Sequence, residues 1–320
     1  MIVTLTPNPS IDVTMELTAP LSTDTVNRAQ SLRQAAGGKG INVSHVAYLS
    51  GQETLALYPS QHQDPFVSLI EQSGIPSRRV AVNAPVRINV TITDDRSTAK
   101  VNSPGTAVPA DTSEILISAL LEHVDAANII VAAGSLPPGL PEDFYGRLVS
   151  EVRARNADVI IAVDTSDGPL RALGDDLSVA APTIMKPNSH ELGQLIGTNG
   201  RNLEELALAG HVGPIVEGAA RLVDQGVHEV LVTLGPAGGV LVTDSGAWKI
   251  TPPPARVRTT VGTGDASLAG YLIGRAAGRT CPDAARQAIA FGTATASLLG
   301  TAFPDSSVID LERTEVVQLV

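Results

Sequence analysis

The sequence predicts an α/β fold: a mainly parallel sheet with helices on both faces, and a small second sheet standing apart from it. Two observations lead to this. Beyond Ile129, short apolar runs alternate with helical stretches, the pattern of a parallel sheet. Before Ser103, four strand-like stretches lie outside any such alternation. A third observation concerns ligands. Gly134-Ser135, Asp164, Lys186-Pro187-Asn188 and Gly235-Pro236 all fall at the ends of apolar strands, where folds of this class hold their ligands.

Taken in order, Ile2–Thr6 is a β-branched strand closed by Pro7-Asn8-Pro9. Ile11, Val13, Met15 and Leu17 alternate as in a strand with one wet face, and Thr25–Leu32 is expected to be another. The glycines of Ala35-Ala36-Gly37-Gly38-Lys39-Gly40-Ile41-Asn42 lead into a helix reaching about Ser50. Arg87–Ile92 and Ala99–Asn102 form a hairpin turning at Asp94-Asp95-Arg96. Helices are expected over Asp111–Val124, Pro141–Arg155, Ser189–Ile196, Ile215–Gln225 and Pro282–Leu299, and a small-residue helical run entered through the Val261–Gly264 turn reaches Ala277. Strands are expected at Ile129–Ala133, Val159–Asp164, Thr183–Lys186 and Glu229–Leu234, with an antiparallel edge at Val240–Thr243 and Trp248–Ile250. Asn199–Gly213 reads two ways: Leu203–Leu208 as a helical turn, or, from Gly210 and Gly213, as a loop.

Composition narrows the functional classes. A net charge of −11 argues against nucleic acid as partner, because such binding rests on neutralising phosphates. No apolar window is long enough to cross a bilayer, and the chain enters its first strand with no signal-like segment. The single cysteine, Cys281, allows no internal disulfide and fits a reducing, cytoplasmic setting. There are four lysines, Lys39, Lys100, Lys186 and Lys249, and two of them fall inside glycine- or asparagine-containing motifs.

The most informative stretch is Thr260–Gly270. Val261-Gly262-Thr263-Gly264 reads as a turn entering a helix, where backbone N–H groups without intrahelical partners form an anion site. Asp265 stands at that entry, either as a helix cap or as a carboxylate beside a bound anion. Gly38-Lys39-Gly40 offers a second glycine turn with a cation, but lacks the Walker spacing.

As an ordered set, Asp12, Gly37-Gly38-Lys39-Gly40-Ile41-Asn42, Arg87-Ile88-Asn89, Gly134–Gly139, Lys186-Pro187-Asn188-Ser189-His190-Glu191 and Thr260–Asp265 resemble the ribokinase-like sugar kinases of the PfkB type. The resemblance is strongest to the 1-phosphofructokinase and tagatose-6-phosphate kinase branch. One departure is Thr263, where that family usually has Ala. The resemblance implies a three-layer α/β/α sandwich as a single domain over 1–320, with a β-sheet lid inserted from about 12–33 and 86–104. It implies ATP and Mg²⁺, a phosphorylated ketohexose as substrate, and a homodimer in which lids pair.

It also implies roles. Asp265 is the expected catalytic base, and Gly262, Thr263 and Gly264 the anion hole. Asp12, Gly38, Asn42 and Ser135 are expected at the sugar, with Lys39 and Arg87 on the phosphate it already carries. Lys186, Asn188, Thr233, Gly235 and Gly238 are expected at the nucleotide, and Glu191 at the metal through water. Asp164 is read as a structural strand-end acid and His190 as a bystander. Fructose 1-phosphate is the first expectation, ahead of tagatose 6-phosphate and fructose 6-phosphate. Two other readings are weighed: a Rossmann-like dinucleotide binder, disfavoured because no Gly-x-Gly-x-x-Gly follows the first strand, and a silent relative of the kinases, disfavoured by the retained Asp265.

Overall fold

The computed structural model describes residues 1–298 and 302–320. The chain starts in β1 (Ile2–Leu5), then makes β2 (Ser10–Leu17) and β3 (Ala29–Gly37). Next come α1 (Lys39–Leu49), β4 (Thr54–Ser60), α2 (Pro65–Ser73), β5 (Ser77–Ala81) and the hairpin β6 (Arg87–Thr93) and β7 (Thr98–Val101). α3 (Thr112–Leu121) and β8 (Ile129–Ala133) open the alternating part. It continues through α4 (Phe144–Arg155), β9 (Ile160–Asp164), α5 (Asp167–Asp175), α6 (Leu177–Ala180), β10 (Ile184–Met185), α7 (Ser189–Ile196), α8 (Gly200–Leu208), α9 (Gly213–Asp224) and β11 (Glu229–Thr233). β12 (Gly239–Thr243) and β13 (Gly246–Thr251) turn back on it. The helical pair α10 (Thr263–Ala276) and α11 (Cys281–Ser297) follows, and β14 (Glu315–Gln318) ends the fold.

Ten strands form one sheet in the order β14-β13-β12-β11-β10-β9-β8-β1-β4-β5, parallel from β5 to β11 and antiparallel beyond. Its central strands are apolar on both faces because both faces are covered. Ile130 and Ala132 point into a core shared with α3–α9, while Ile129, Val131 and Ala133 point into one shared with α1, α10 and α11. α10 and α11 approach closely because their faces are small: a Cβ on Gly270 would lie 2.9 Å from Phe291 Cδ2. This is a three-layer sandwich.

The second sheet, in the order β3-β2-β6-β7, is mixed: β2 runs parallel to β6 and antiparallel to β3. Ile11 and Val13 pack on α2 and on Ile41, while most of β3 and β7 is exposed. The expected strand at Thr25–Leu32 is shifted to Ala29–Gly37. Residues 21–28 instead form a loop that Asn27 closes, accepting from Ser22 N–H at 3.0 Å and donating to its carbonyl at 2.7 Å.

Other boundaries also move. The helix expected from Pro141 begins at Phe144, and the one expected to reach Val124 ends at Leu121, followed by a 3₁₀ turn. Within the 199–213 segment Gly200–Leu208 is helix α8, capped by Asn199, whose side chain accepts from Arg201 N–H at 2.9 Å. The last residue of the helix expected to reach Leu299 lies outside the described residues. Among the described residues no helix is long and apolar enough to cross a membrane.

Candidate functional site

The parallel strands deliver their C-terminal ends to one cleft, with the glycine turn before α10 beside it. Gly262 caps that helix at φ 72°, a left-handed conformation that favours glycine, which leaves the N–H groups of the following residues at the open helix end. Thr263 does not crowd the turn with its side chain, since its hydroxyl donates back to the Thr260 carbonyl at 3.2 Å. A Cβ on Gly264 would stand 3.5 Å from Lys186 Nζ, so this ammonium lies over the turn.

Asp265, in the first turn of α10, accepts a hydrogen bond from Asn42 Nδ2 at 2.7 Å. Asn42 stands one turn into α1, whose start is fixed by Gly38 at φ 120°; a Cβ there would meet Thr6 Cγ2 at 2.7 Å. Burial and the nearby Asp164 charge push the Asp265 carboxyl up to about 6, against the pull of Lys39, Asn42 and Lys186.

Asp164 ends β9 almost wholly buried, 2.7 Å from Lys39 Nζ and 3.3 Å from Lys186 Nζ. Burial would raise its carboxyl, but the two ammonium groups outweigh that and hold it below the usual range. Lys39 is in turn pushed up: burial works to lower it, but Asp164, Glu191 and Asp265 prevail. Glu191 Oε1 lies 3.7 Å from Lys39, while Oε2 accepts from Asn188 N–H at 2.8 Å. Asn188 Oδ1 accepts from His190 and Glu191 N–H, so the Asn-x-x-Glu spacing is a reciprocal cap at the start of α7.

Two expectations change here. Lys39, grouped from the sequence with Arg87 at an acceptor phosphate, is instead engaged with Asp164 and Glu191. Asp164, read as a bystander, joins the two lysines. The available signal was its place at the end of a buried parallel strand whose neighbour ends at Lys186.

At the small sheet, Asp12 Oδ1 accepts from Ser10 Oγ at 2.7 Å and from Asn89 Nδ2 at 3.0 Å. A Cβ on Gly37 would lie 2.1 Å from Asp12 Oδ2, so a side chain there would displace the Asp12 carboxylate. Burial raises the Asp12 carboxyl, opposed by those two hydrogen bonds and by Arg87. Arg87 donates through Nη1 to the Ser103 carbonyl at 2.8 Å, and its Nε is buried with no partner. Asp94 is engaged elsewhere, accepting from Leu21, Arg96 and Ser97 N–H groups. Ser135 accepts from Asn8 Nδ2 at 3.2 Å, and the same amide reaches the Pro104 carbonyl at 3.0 Å. Asn8, which no sequence motif singled out, thus ties the loop after β8 to the end of the hairpin.

Across the cleft, Thr233 N–H donates to the Pro187 carbonyl at 3.0 Å, joining the ends of β10 and β11. Gly235 and Gly238 both have positive φ. At Gly238 the neighbouring strand alone demands glycine, since a Cβ would lie 2.1 Å from the Ile250 carbonyl. α8 packs beside this turn, with Glu204 Oε1 3.7 Å from where a Gly235 Cβ would be.

The arrangement is a carboxylate with a raised pKa beside a glycine anion turn, faced by two ammonium groups. It suits transfer of an anionic group to a hydroxyl. The family model described as "pfkB family carbohydrate kinase" matches residues 6–307. The chain is 34% identical to the 1-phosphofructokinase of Haloferax volcanii, with 99% of this chain and 97% of that protein aligned. It is 28% identical to the ATP-dependent 6-phosphofructokinase isozyme 2 of Mycobacterium tuberculosis, over 94% of this chain and 85% of that protein. The tetrameric inhibited form of phosphofructokinase-2 from Escherichia coli superposes with a TM-score of 0.82 at 26% identity, covering 94% of this chain and 95% of that one.

Proposed function

The chain belongs to the pfkB family of carbohydrate kinases, a phosphofructokinase-type sugar kinase, and from that premise we propose that it transfers the γ-phosphoryl group of ATP to the 6-hydroxyl of fructose 1-phosphate, giving fructose 1,6-bisphosphate. The observation that carries this reading is Asp265, held by Asn42 beside the Gly262–Gly264 turn, with Lys186 Nζ close over Gly264.

In this mechanism the Asp265 carboxylate accepts the proton of the attacking hydroxyl. The new O–P bond forms as the bond to the departing ADP breaks. The N–H groups after Gly262, together with Lys186, receive the charge on the transferred group. Lys39, engaged with Asp164 and Glu191, is assigned to that same group. Asp164 holds both ammonium groups in place.

Thr233, Gly235 and Gly238 form the nucleotide turn, next to Asn188. Asp12, Asn42, Ser135 and the Gly38 backbone receive the sugar hydroxyls. Arg87, with its unpartnered Nε, takes the acceptor phosphate. The donor set also fits magnesium, an ion that keeps several waters and needs few carboxylates. Glu191 Oε1 stands 3.7 Å from Lys39 Nζ and would hold the hydrated ion. When bound, that ion neutralises charge on the triphosphate.

Tagatose 6-phosphate is a second candidate, and the mycobacterial relative favours fructose 6-phosphate as a third. We assign the small sheet as the lid and as the surface through which subunits pair in a homodimer; the bacterial neighbour is described as tetrameric. A cytoplasmic setting goes with this reading. The test is ADP release with fructose 1-phosphate, tagatose 6-phosphate, fructose 6-phosphate and free fructose. Fructose 1-phosphate is expected to give the highest kcat/KM. Equal use of free fructose would overturn the phosphosugar reading, and a preference for another phosphosugar would change only its identity.

A further inference from the structure

Phe303 lies beyond α11 in a segment with no helix or strand, and none of the motifs above includes it. Its ring nevertheless sits directly against Gly262. A Cβ built on that glycine would stand 2.7 Å from Phe303 Cε1 and 3.0 Å from Cζ. The same ring meets His45 of α1 edge-on, with centroids 5.6 Å apart at 70°. His45 is three residues beyond Asn42, so both project from the same side of α1. That side therefore touches the start of α10 twice: through the Asn42–Asp265 hydrogen bond and through the His45–Phe303–Gly262 stack.

The stretch leading into the turn is tied to α11 by Arg258 and Thr259 N–H, which donate to the Ala296 carbonyl at 2.7 and 3.2 Å. The turn's own side-chain hydrogen bonds are internal, Thr263 Oγ1 to the Thr260 carbonyl and Val261 N–H to Thr259 Oγ1. Such bonds shape the turn without locating it against α1. The ring supplies a rigid spacer, where a flexible side chain would permit sliding.

We propose that Phe303 is a positioning residue for phosphoryl transfer: packed against His45 and Gly262, it sets the distance between the helix that orients Asp265 and the glycine turn that receives the transferred group. The proposal rests on the reading of Gly262–Gly264 as the anion turn. It does not require Phe303 to touch either substrate. Because misplacement by about 1 Å can cost roughly a hundredfold in rate, losing the spacer should act on kcat rather than on binding.

The test is a size exchange between the two contacting positions. Phe303→Ala and the milder Phe303→Leu should lower kcat, by roughly ten- to a hundredfold for alanine and less for leucine. KM for ATP and for the phosphosugar should stay within about twofold. Gly262→Ala alone should also lower kcat, both from clash with the ring and from backbone strain at positive φ. Combining Gly262→Ala with Phe303→Ala removes the clash but keeps the strain, so the double variant should recover turnover severalfold over Gly262→Ala. If Phe303 only fills the core, the two single losses multiply instead and follow the loss of folded protein in thermal melts, which overturns the proposal. Unchanged kcat in Phe303→Ala overturns it as well. If Gly262→Ala itself keeps full turnover, the anion-turn reading fails and the proposal with it, whereas an impaired Gly262→Ala without rescue sinks the Phe303 inference alone. Should Gly262→Ala not fold, the kcat-against-KM split in Phe303→Leu and Phe303→Ala decides.

Discussion

On the side of the cleft built by β9 and β10, charged groups come already paired. Asp164 and Lys186, at the ends of strands buried on both faces, are nearly inaccessible, and Lys39 from the start of α1 and Glu191 from α7 complete a linked set. On the side built by β2 and β6, Asp12 and Arg87 stand on a sheet with one covered face, and Arg87 Nε has no partner. The first side is organised before any ligand arrives, so electrostatic stabilisation there costs little reorganisation. The second has the sparse burial of elements that open at low free energy and is suited to closing over a substrate. Preorganised charge and the cover proposed above are thus segregated on two sheets.

Asp265 sits where these sides meet, and altering it should have the largest effect. Asp265→Asn is expected to lower kcat by roughly 10²–10⁴ while leaving both KM values near those of the parent. Its carboxyl titrates at about 6 when folded, above its ordinary 3.8, so its ionisation opposes folding as pH rises through that window. Asp265→Asn should therefore melt slightly higher than the parent at neutral pH, which calorimetry can check. Turnover within a few-fold of the parent would reduce Asp265 to a helix cap.

Next in size is Asp164→Asn, which leaves two ammonium groups without their shared carboxylate. Stranding a buried charge costs about 3–5 kcal/mol, measurable by urea unfolding. Added ATP should recover part of it, since a bound triphosphate replaces the missing anion. A stability loss under about 1 kcal/mol would show that the paired side is less tightly organised than its distances suggest.

A smaller effect separates Lys39 from Arg87. Arg87→Ala should raise KM for the phosphosugar roughly ten- to a hundredfold with KM for ATP unmoved, because that phosphate is bound equally in ground and transition states. Lys39→Ala should lower kcat more than it raises either KM. If Lys39→Ala instead copies Arg87→Ala in steady-state kinetics, Lys39 belongs with the movable side despite its pairing with Asp164.

The smallest effect is on the pH profile. The base works only when ionised, so kcat/KM should fall as pH drops through about 6. Asn42→Ala removes a hydrogen bond that stabilises the carboxylate, and should move that acidic limb to higher pH. A limb that stays in place would separate Asn42 from the base.

Much of this fold was legible because apolar runs and turn residues are local signals. Ile129–Ala133 and the Asp94 hairpin follow from periodicity and turn chemistry alone. β4, α2, β5, α5 and β14 were not anticipated, and Thr25–Leu32 was misplaced because Asn27 closes a loop that composition does not reveal. At the site, Asp265 and its glycines were visible as a contiguous motif. The Lys39–Asp164 pair spans 125 residues, and the partner of a lone lysine depends on which strand ends the fold brings together. Gly238 teaches the converse: its glycine looked like a demand of the nucleotide, whereas the Ile250 carbonyl already requires it.

The Asn42–Asp265 hydrogen bond joins residues 223 positions apart. During synthesis β2, β3, β6 and β7 all leave the ribosome well before α10 is made. At about 5–20 residues per second, the interval from Val101 to Asp265 is roughly 10–30 s. The nascent chain therefore displays this sheet before Asp265 exists, and Asn42 waits roughly 11–45 s for its partner.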